Sequence, residues 1–308
     1  MTGMRVLITG AAGFIGSQVA RRVIQDGHTV IAVLKPGESA ERLADCVVKS
    51  AQARCDLRDT EAVRQLVAEA QPEMALHLAW YVEPGKYWEA AENLDSVSMS
   101  LFLARTLAEA GCARFVGAGS CAEYDWNYGL LTEEVTPLRP RSLYGISKHA
   151  TREVLQAFCA KGGMSFAWTR FFWLYGPGEA RERLIPSVVL TLLNGGIAKC
   201  TRGEQSRDFL HVEDAASALW WVAKSDLSGA VNIGSGQATK VRTLLLAVAR
   251  LLERESQLAL GALPGDPQEP PLLLADVHRL AGVVGWKPAL TLEEGLKKTC
   301  AWWRANNP

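Results

Sequence analysis

The stretch Val6-Leu-Ile-Thr-Gly10-Ala-Ala-Gly13-Phe-Ile-Gly16 constrains this chain more than any other part of it. Glycines at every third position stand between an apolar run and an amphipathic one, so a strand turns sharply into a helix. Gly10 permits the tight turn, Gly13 lets backbone approach a pyrophosphate, and Gly16 lets the helix pack against the strand. The helix opening at Phe14 and Ile15 offers free N–H groups and the positive end of its dipole. A dinucleotide is the expected ligand, the plain alternative being a turn that serves structure alone.

The pattern that follows sets the fold. Apolar runs at 4–9, 29–34, 51–55, 74–79 and 114–119 predict strands, and amphipathic stretches at 14–25, 60–70 and 94–110 predict helices. Such alternation implies an α/β fold, a Rossmann-like doubly wound parallel sheet covered on both faces by right-handed crossovers. A helix from about Leu143 to Lys161 and a strand over 164–173 extend it. Farther on, helices near 184–193, 212–224, 240–255 and 291–304 mix with short strands and a Pro-rich stretch at 264–271. The expected division is a dinucleotide-binding domain over 1–173, with return segments at about 208–233, and a smaller C-terminal substrate-binding lobe over 174–308.

Composition removes several function classes. The 308 residues carry 33 basic and 33 acidic side chains, so the broad positive field of a nucleic-acid or membrane-surface binder is not expected. An anionic small molecule needs only a local cluster of arginines. No apolar run approaches the roughly 18 residues of a membrane span. The seven cysteines are an odd, scattered number without a CxxC pair, which suits buried thiols in a reducing compartment rather than disulfides or a metal site. The chain enters a strand almost at once, so no signal peptide is expected and the cytoplasm is the default.

The end of the second strand bears on the cofactor. A carboxylate there would bind the adenosine ribose 2′-hydroxyl of NAD, whereas a cation suits the 2′-phosphate of NADP. The strand closes on Val33-Leu34-Lys35, with Arg42 nearby, so NADP(H) is favoured and NAD(H) remains possible. The alternative is that Lys35 is merely a solvated loop lysine.

Tyr144-Gly-Ile-Ser-Lys148 sets a phenol and an ammonium one turn apart on one helix face. A free tyrosine titrates near 10, and bringing it to neutrality takes about 4 kcal/mol of differential stabilisation. A neighbouring ammonium and an oxidised nicotinamide ring both favour the phenolate. The pair means little alone; its place does more, since it opens the helix after a strand ending in Gly119-Ser120, where a hydroxyl would face the crevice.

With these residues in view, the chain resembles an extended short-chain dehydrogenase/reductase of the nucleotide-sugar epimerase/dehydratase family. The likeness runs from Thr9-Gly-x-x-Gly-x-x-Gly16 through Asp56-Leu57, His77-Leu-Ala-Trp80, Asn93, Ser120-x-x-x-Tyr124 and Tyr144-x-x-x-Lys148. It continues through Arg170–Pro177 and Arg207-Asp-Phe-x-His-Val-x-Asp214. The resemblance implies that Ser120, Tyr144 and Lys148 form the catalytic set, with Tyr144 exchanging the proton and Lys148 holding the nicotinamide ribose. It places Asp56 and Leu57 at the adenine, Ala79 and Phe171 beside the cofactor, and Arg183, Leu184 and Arg207 around the nucleotide sugar. A homodimer through the helices beginning near Asn93 and Tyr144 is likewise implied.

Departures from the family pattern narrow the chemistry. Dehydratases that form 4-keto-6-deoxy sugars carry Asp-Glu directly after the serine or threonine, where this chain has Cys121 and Ala122. Members that epimerise at C3 and C5 carry a cysteine two residues before the tyrosine matching Tyr124; Ala122 stands there. The 4-epimerases carry an asparagine where Trp173 stands, an arginine at Leu263 and usually an acid at Leu34. Trp80, Tyr81 and Trp173 would make a more apolar pocket, suited to a deoxy sugar, unless they are core aromatics. The expected activity is NADPH-dependent reduction of a nucleotide-linked 4-keto-6-deoxyhexose. The alternatives are an NAD-dependent nucleotide-sugar 4-epimerase and, in another class, a non-catalytic NADP sensor.

Overall fold

A computed structural model describes residues 3–307. Its first half runs β1 (Arg5–Thr9), α1 (Phe14–Gln25), β2 (Thr29–Leu34), β3 (Ser50–Arg54), α2 (Thr60–Ala70), β4 (Met74–His77), α3 (Glu92–Glu109), β5 (Arg114–Ser120), β6 (Leu130–Leu131) and α4 (Leu143–Gly162). There follow β7 (Ser165–Phe171), β8 (Trp173–Tyr175), α5 (Leu184–Leu193), β9 (Ala198–Cys200), β10 (Ser206–His211), α6 (Val212–Lys224) and β11 (Gly229–Ile233). The chain closes with β12 (Ala238–Lys240), α7 (Val241–Leu252), β13 (Leu258–Leu260), β14 (Leu272–Ala275) and α8 (Leu292–Ala305).

Seven strands form one parallel sheet in the order β11-β7-β5-β4-β1-β2-β3. Helices cover both faces, so β1 and β4 are buried nearly throughout and read as unbroken apolar runs. One core, containing Val6, Ile8, Val19 and Trp220, lies beneath α1 and α6. The other, containing Leu7, Ala75, Leu103 and Leu155, lies beneath α2, α3 and α4. Strand order reverses between β1 and β4, which opens the crevice above the carboxyl ends of these strands.

Several boundaries differ from the sequence pattern. The strand expected over 164–173 is two strands: β7 pairs with β5 and β11, whereas β8 pairs with β10 in a second sheet. The break falls at Phe172, whose N–H donates to the Ile233 carbonyl at 3.1 Å. Phe171 and Phe172 are both buried, in different cores, so the apolar run shows no interruption. Strand β4 ends at His77 rather than 79, because the Ala79 N–H turns to the Thr9 hydroxyl at 3.2 Å. The helix expected to reach 255 stops at Leu252, followed by Glu253 in the left-handed region.

A separate core around Val189, Leu244, Leu245 and Trp303 joins α5, α7 and α8. All seven cysteines are buried, and none is in a disulfide. Among the described residues, no helix is long and apolar enough to cross a membrane.

Candidate active site

The glycine turn is made of backbone. Gly10 has φ +65°, and a Cβ there would sit 2.9 Å from the Ala79 nitrogen. A Cβ on Gly16 would fall well inside van der Waals contact distance of the Gly10 carbonyl oxygen. Gly13 caps α1 without a side-chain hydrogen bond, and the first turn, from Phe14 and Ile15 onward, has no acidic residue. An anion therefore meets open N–H groups and an uncompensated dipole.

A cavity of about 640 Å³ extends from this turn, within the usual range for small-molecule sites. Of the residues expected at the cofactor, Gly10, Lys35, Asp56, Leu57 and Ala79 line it, together with Trp80, expected at the substrate. Phe171 lies instead in the core at the end of β7. Asp56 receives Arg58 through two bonds of 3.0 and 2.7 Å, and this guanidinium holds its carboxyl down at about 2.

Glu38 also lines the cavity, its carboxylate accepting the Lys35 N–H at 2.9 Å. Its role is hidden in the sequence, because only the turn that returns the Glu38 N–H to the Lys35 carbonyl brings it back to the strand end.

Ser120, Tyr144 and Lys148 converge at the far end of the crevice. Ser120 ends β5; Tyr144 stands in the first turn of α4, which Ser142 caps by accepting the Gly145 N–H at 3.2 Å. The Tyr144 N–H donates to the Trp88 carbonyl at 2.9 Å, which fixes the helix start against the loop after β4. Burial raises the Tyr144 phenol above its usual range, Tyr87 adds to this, and a hydrogen bond with the Ser120 side chain opposes it. Lys148 is 3% exposed, and its Nζ donates to the Ala118 carbonyl at 2.6 Å. Burial pushes its ammonium down to about 7, against the pull of Glu123.

Glu123 carries no mark of a role in the sequence, yet it organises this corner. Fully buried, it accepts the Ser120 N–H at 2.8 Å and Trp168 Nε1–H at 2.9 Å on one oxygen, and Arg170 Nε–H at 2.9 Å on the other. Arg170 also donates to the Tyr124 hydroxyl at 2.9 Å, which in turn donates to Asn232. This carboxylate is spent on holding the end of β5. Burial pushes the Cys121 thiol up to about 12, so it is an inert neighbour.

Aromatic side chains wall the site. Tyr87 meets Tyr144 edge-on at 4.9 Å between ring centroids, Trp88 does so at 5.7 Å, and Trp126 lies 6.1 Å from Trp173. Arg183 stands 5.4 Å above the Tyr87 ring. Arg207 stands 5.2 Å above Trp173, but its guanidinium is held by Glu269 at 2.8 Å and by the Ser206 and Pro270 carbonyls. Leu184 opens α5 and is exposed. Tyr81 lines the cavity and donates to Glu83 at 2.9 Å. Glu179 is pushed up to about 8 by burial despite Arg183, and its buried Oε2 has no hydrogen-bond partner.

The model of the NAD-dependent epimerase/dehydratase family matches residues 6–234. The dTDP-glucose 4,6-dehydratase of Shigella flexneri is 29% identical, over 98% of this chain and 93% of its own. The UDP-glucose 4-epimerase of Thermotoga maritima, solved with UDP-glucose, superposes with a TM-score of 0.89 at 25% identity, covering 99% of this chain and 100% of that one. The UDP-glucose 4-epimerase of Thermus thermophilus, solved with NAD, gives 0.83 at 26% identity over 98% and 100%. Glycine turn, parallel sheet and family match agree: this chain belongs to the NAD-dependent epimerase/dehydratase family.

Proposed function

We propose that this chain reduces a nucleotide-linked 4-keto-6-deoxyhexose with NADPH. The observation that carries the reading is the gathering of Ser120, Tyr144 and Lys148 at a position where no free acid–base pair follows the serine. Cys121 and Ala122 cannot remove and donate protons for an elimination, and Glu123, the next acid, is committed to Arg170, Trp168 and the Ser120 N–H.

Gly10, Gly13 and Gly16 with the start of α1 would hold the pyrophosphate, and Asp56 and Leu57 would border the adenine. Lys35 at the tip of β2 would meet a 2′-phosphate. When bound, the nicotinamide supplies a hydride to the sugar carbonyl. The chain's part is electrostatic and protonic: the Ser120 hydroxyl donates to the developing oxyanion, and Tyr144, protonated in this buried site, delivers its proton. Lys148 would stabilise the phenolate left behind electrostatically and would have a free N–H for the cofactor's ribose. Tyr87, Trp88 and Trp126 exclude water and suit a sugar face lacking a hydroxyl.

Tyr144→Phe should leave dinucleotide binding intact and remove nearly all turnover, checked by NADPH oxidation against UDP-, dTDP-, CDP- and GDP-linked 4-keto-6-deoxyhexoses. A mutant retaining more than about a tenth of the wild-type rate contradicts the role of the phenol.

A second reading, an NAD-dependent nucleotide-sugar 4-epimerase, is favoured by Glu38, whose carboxylate beside the cavity could accept a ribose 2′-hydroxyl. NAD that stays with the purified protein through dialysis supports it, and consumption of added NADPH supports the reductase. A homodimer through α3 and α4 fits the groove lined by Leu101, Phe102, Arg105, Val154, Leu155 and Phe158, and light scattering tests it.

A further inference from the structure

Lys148 is a buried cation with an unusual neighbour. Its Nζ lies 3.8 Å from the centroid of the Trp80 ring, well inside the range of a cation–π contact. The indole is fixed from behind: Trp80 Nε1–H donates to Asn93 Oδ1 at 2.8 Å. Asn93 is itself fully buried and donates to the Tyr87 and Ala90 carbonyls at 2.7 and 2.9 Å. Trp80 also meets Tyr144 edge-on at 6.4 Å and lines the dinucleotide cavity. One side chain thus touches the ammonium, the phenol and the cleft.

The other surroundings of Lys148 supply little to keep it charged. From β5 comes the Ala118 carbonyl; from β7 the Trp168 ring, 5.8 Å away; from α4 the Tyr144 ring, 5.9 Å away. From β4 comes His77, which burial holds neutral by lowering it to about 3. Among the described residues, the anion that acts on it, Glu123, does so at a distance and is already paired with Arg170. No carboxylate among the described residues touches the ammonium, so beside the Ala118 carbonyl at 2.6 Å the indole face is its nearest electrostatic support.

We infer that Trp80 is the positioning residue of Lys148. Its π-face holds the ammonium protonated, with one N–H on Ala118 and another left for a cofactor hydroxyl, an ammonium having three to give. The inference deepens the proposed function and rests on it for the role of Lys148, but the contact itself can be measured without any ligand.

The test follows the Lys148 Cε resonance in ¹³C-lysine-labelled full-length protein through a pH titration, assigned with Lys148→Arg. Trp80→Met, which stays apolar and loses the ring, should lower the Lys148 midpoint by about 0.5–1.5 pH units, and Trp80→Phe should stay nearer wild type. Trp80→Leu serves in place of Met if that variant does not fold, as judged by circular dichroism. A midpoint that is unmoved in both non-aromatic variants overturns the inference. So does a raised midpoint, which would make the indole only a wall against water. In parallel, NADH and NADPH affinity at pH 8 should fall about three- to tenfold in Trp80→Met and recover in Trp80→Phe. Tighter binding by Trp80→Met would make the indole an obstruction and also overturn it. Absence of any dinucleotide binding by the wild type would sink the proposed function, while the Lys148 titration would still judge this contact.

Discussion

The two ends of the crevice are built in opposite ways. At the glycine turn the build is backbone: Gly10, Gly13 and Gly16 clear space, and the helix start presents its own N–H groups. At the end where Ser120 and Tyr144 meet, it is side chains from distant parts of the chain. Ser120, Tyr144 and Lys148 depend there on Glu123, Arg170 and Trp80, all buried or half-buried. The first end is open and cheap to form. The second concentrates charge in a dry place, where each group depends on its partners.

The sharpest way to break that contrast is Glu123→Ala. Arg170 would remain in the core without its anion, and the Ser120 and Trp168 N–H groups would lose their acceptor. Loss of about 3–5 kcal/mol is expected in a urea unfolding curve. A loss under about 1 kcal/mol would mean that the network does not hold the catalytic end together.

Lys148→Met should act in the other direction. Folding lowers the Lys148 pKa from 10.5 to about 7, so the folded state binds the proton less well than the unfolded chain. The wild type therefore bears the whole cost of that buried charge below about pH 7, and the cost fades as pH rises toward 10.5. The variant should be more stable by ~2–4 kcal/mol at pH 6 and by little near pH 10, while losing turnover. An advantage that grew with pH would contradict the placement of a charged lysine here.

At the turn the expected effect on stability is smaller and the effect on binding larger. Gly16→Ala forces a Cβ against the Gly10 carbonyl, which should cost ~1–3 kcal/mol and abolish measurable dinucleotide binding. A variant that still binds NADH like the wild type would show that the turn yields more easily than its geometry implies. Smallest is Lys35→Ala, expected to weaken NADPH by ~1 kcal/mol, about fivefold, and leave NADH unchanged. Equal affinities for both cofactors before and after the change would remove Lys35 from cofactor choice.

What can be read in the sequence follows the same division. The turn, the parallel sheet and the Tyr144–Lys148 spacing are local: they need only residues three or four apart and the period of an apolar run. Glu123 is not legible there, because a carboxylate three residues after Ser120 has no local mark of being buried against β7. Glu38 is hidden because a reverse turn brings it back to the strand it has left. Trp80 reads as a pocket wall or a core aromatic, and its contact with Lys148 joins residues 68 positions apart.

By itself, then, the sequence determined the glycine turn and the doubly wound sheet, because short-range sterics and periodicity dictate both, whereas Ser120, Tyr144 and Lys148 stood out as candidates through the Tyr–Lys spacing and the family resemblance. Tertiary structure alone decided which acid is free and which is spent, where β7 breaks into β8, and which ring lies on the ammonium. Those outcomes depend on burial and on partners supplied by remote strands, and burial is a property of the packed chain rather than of any segment within it.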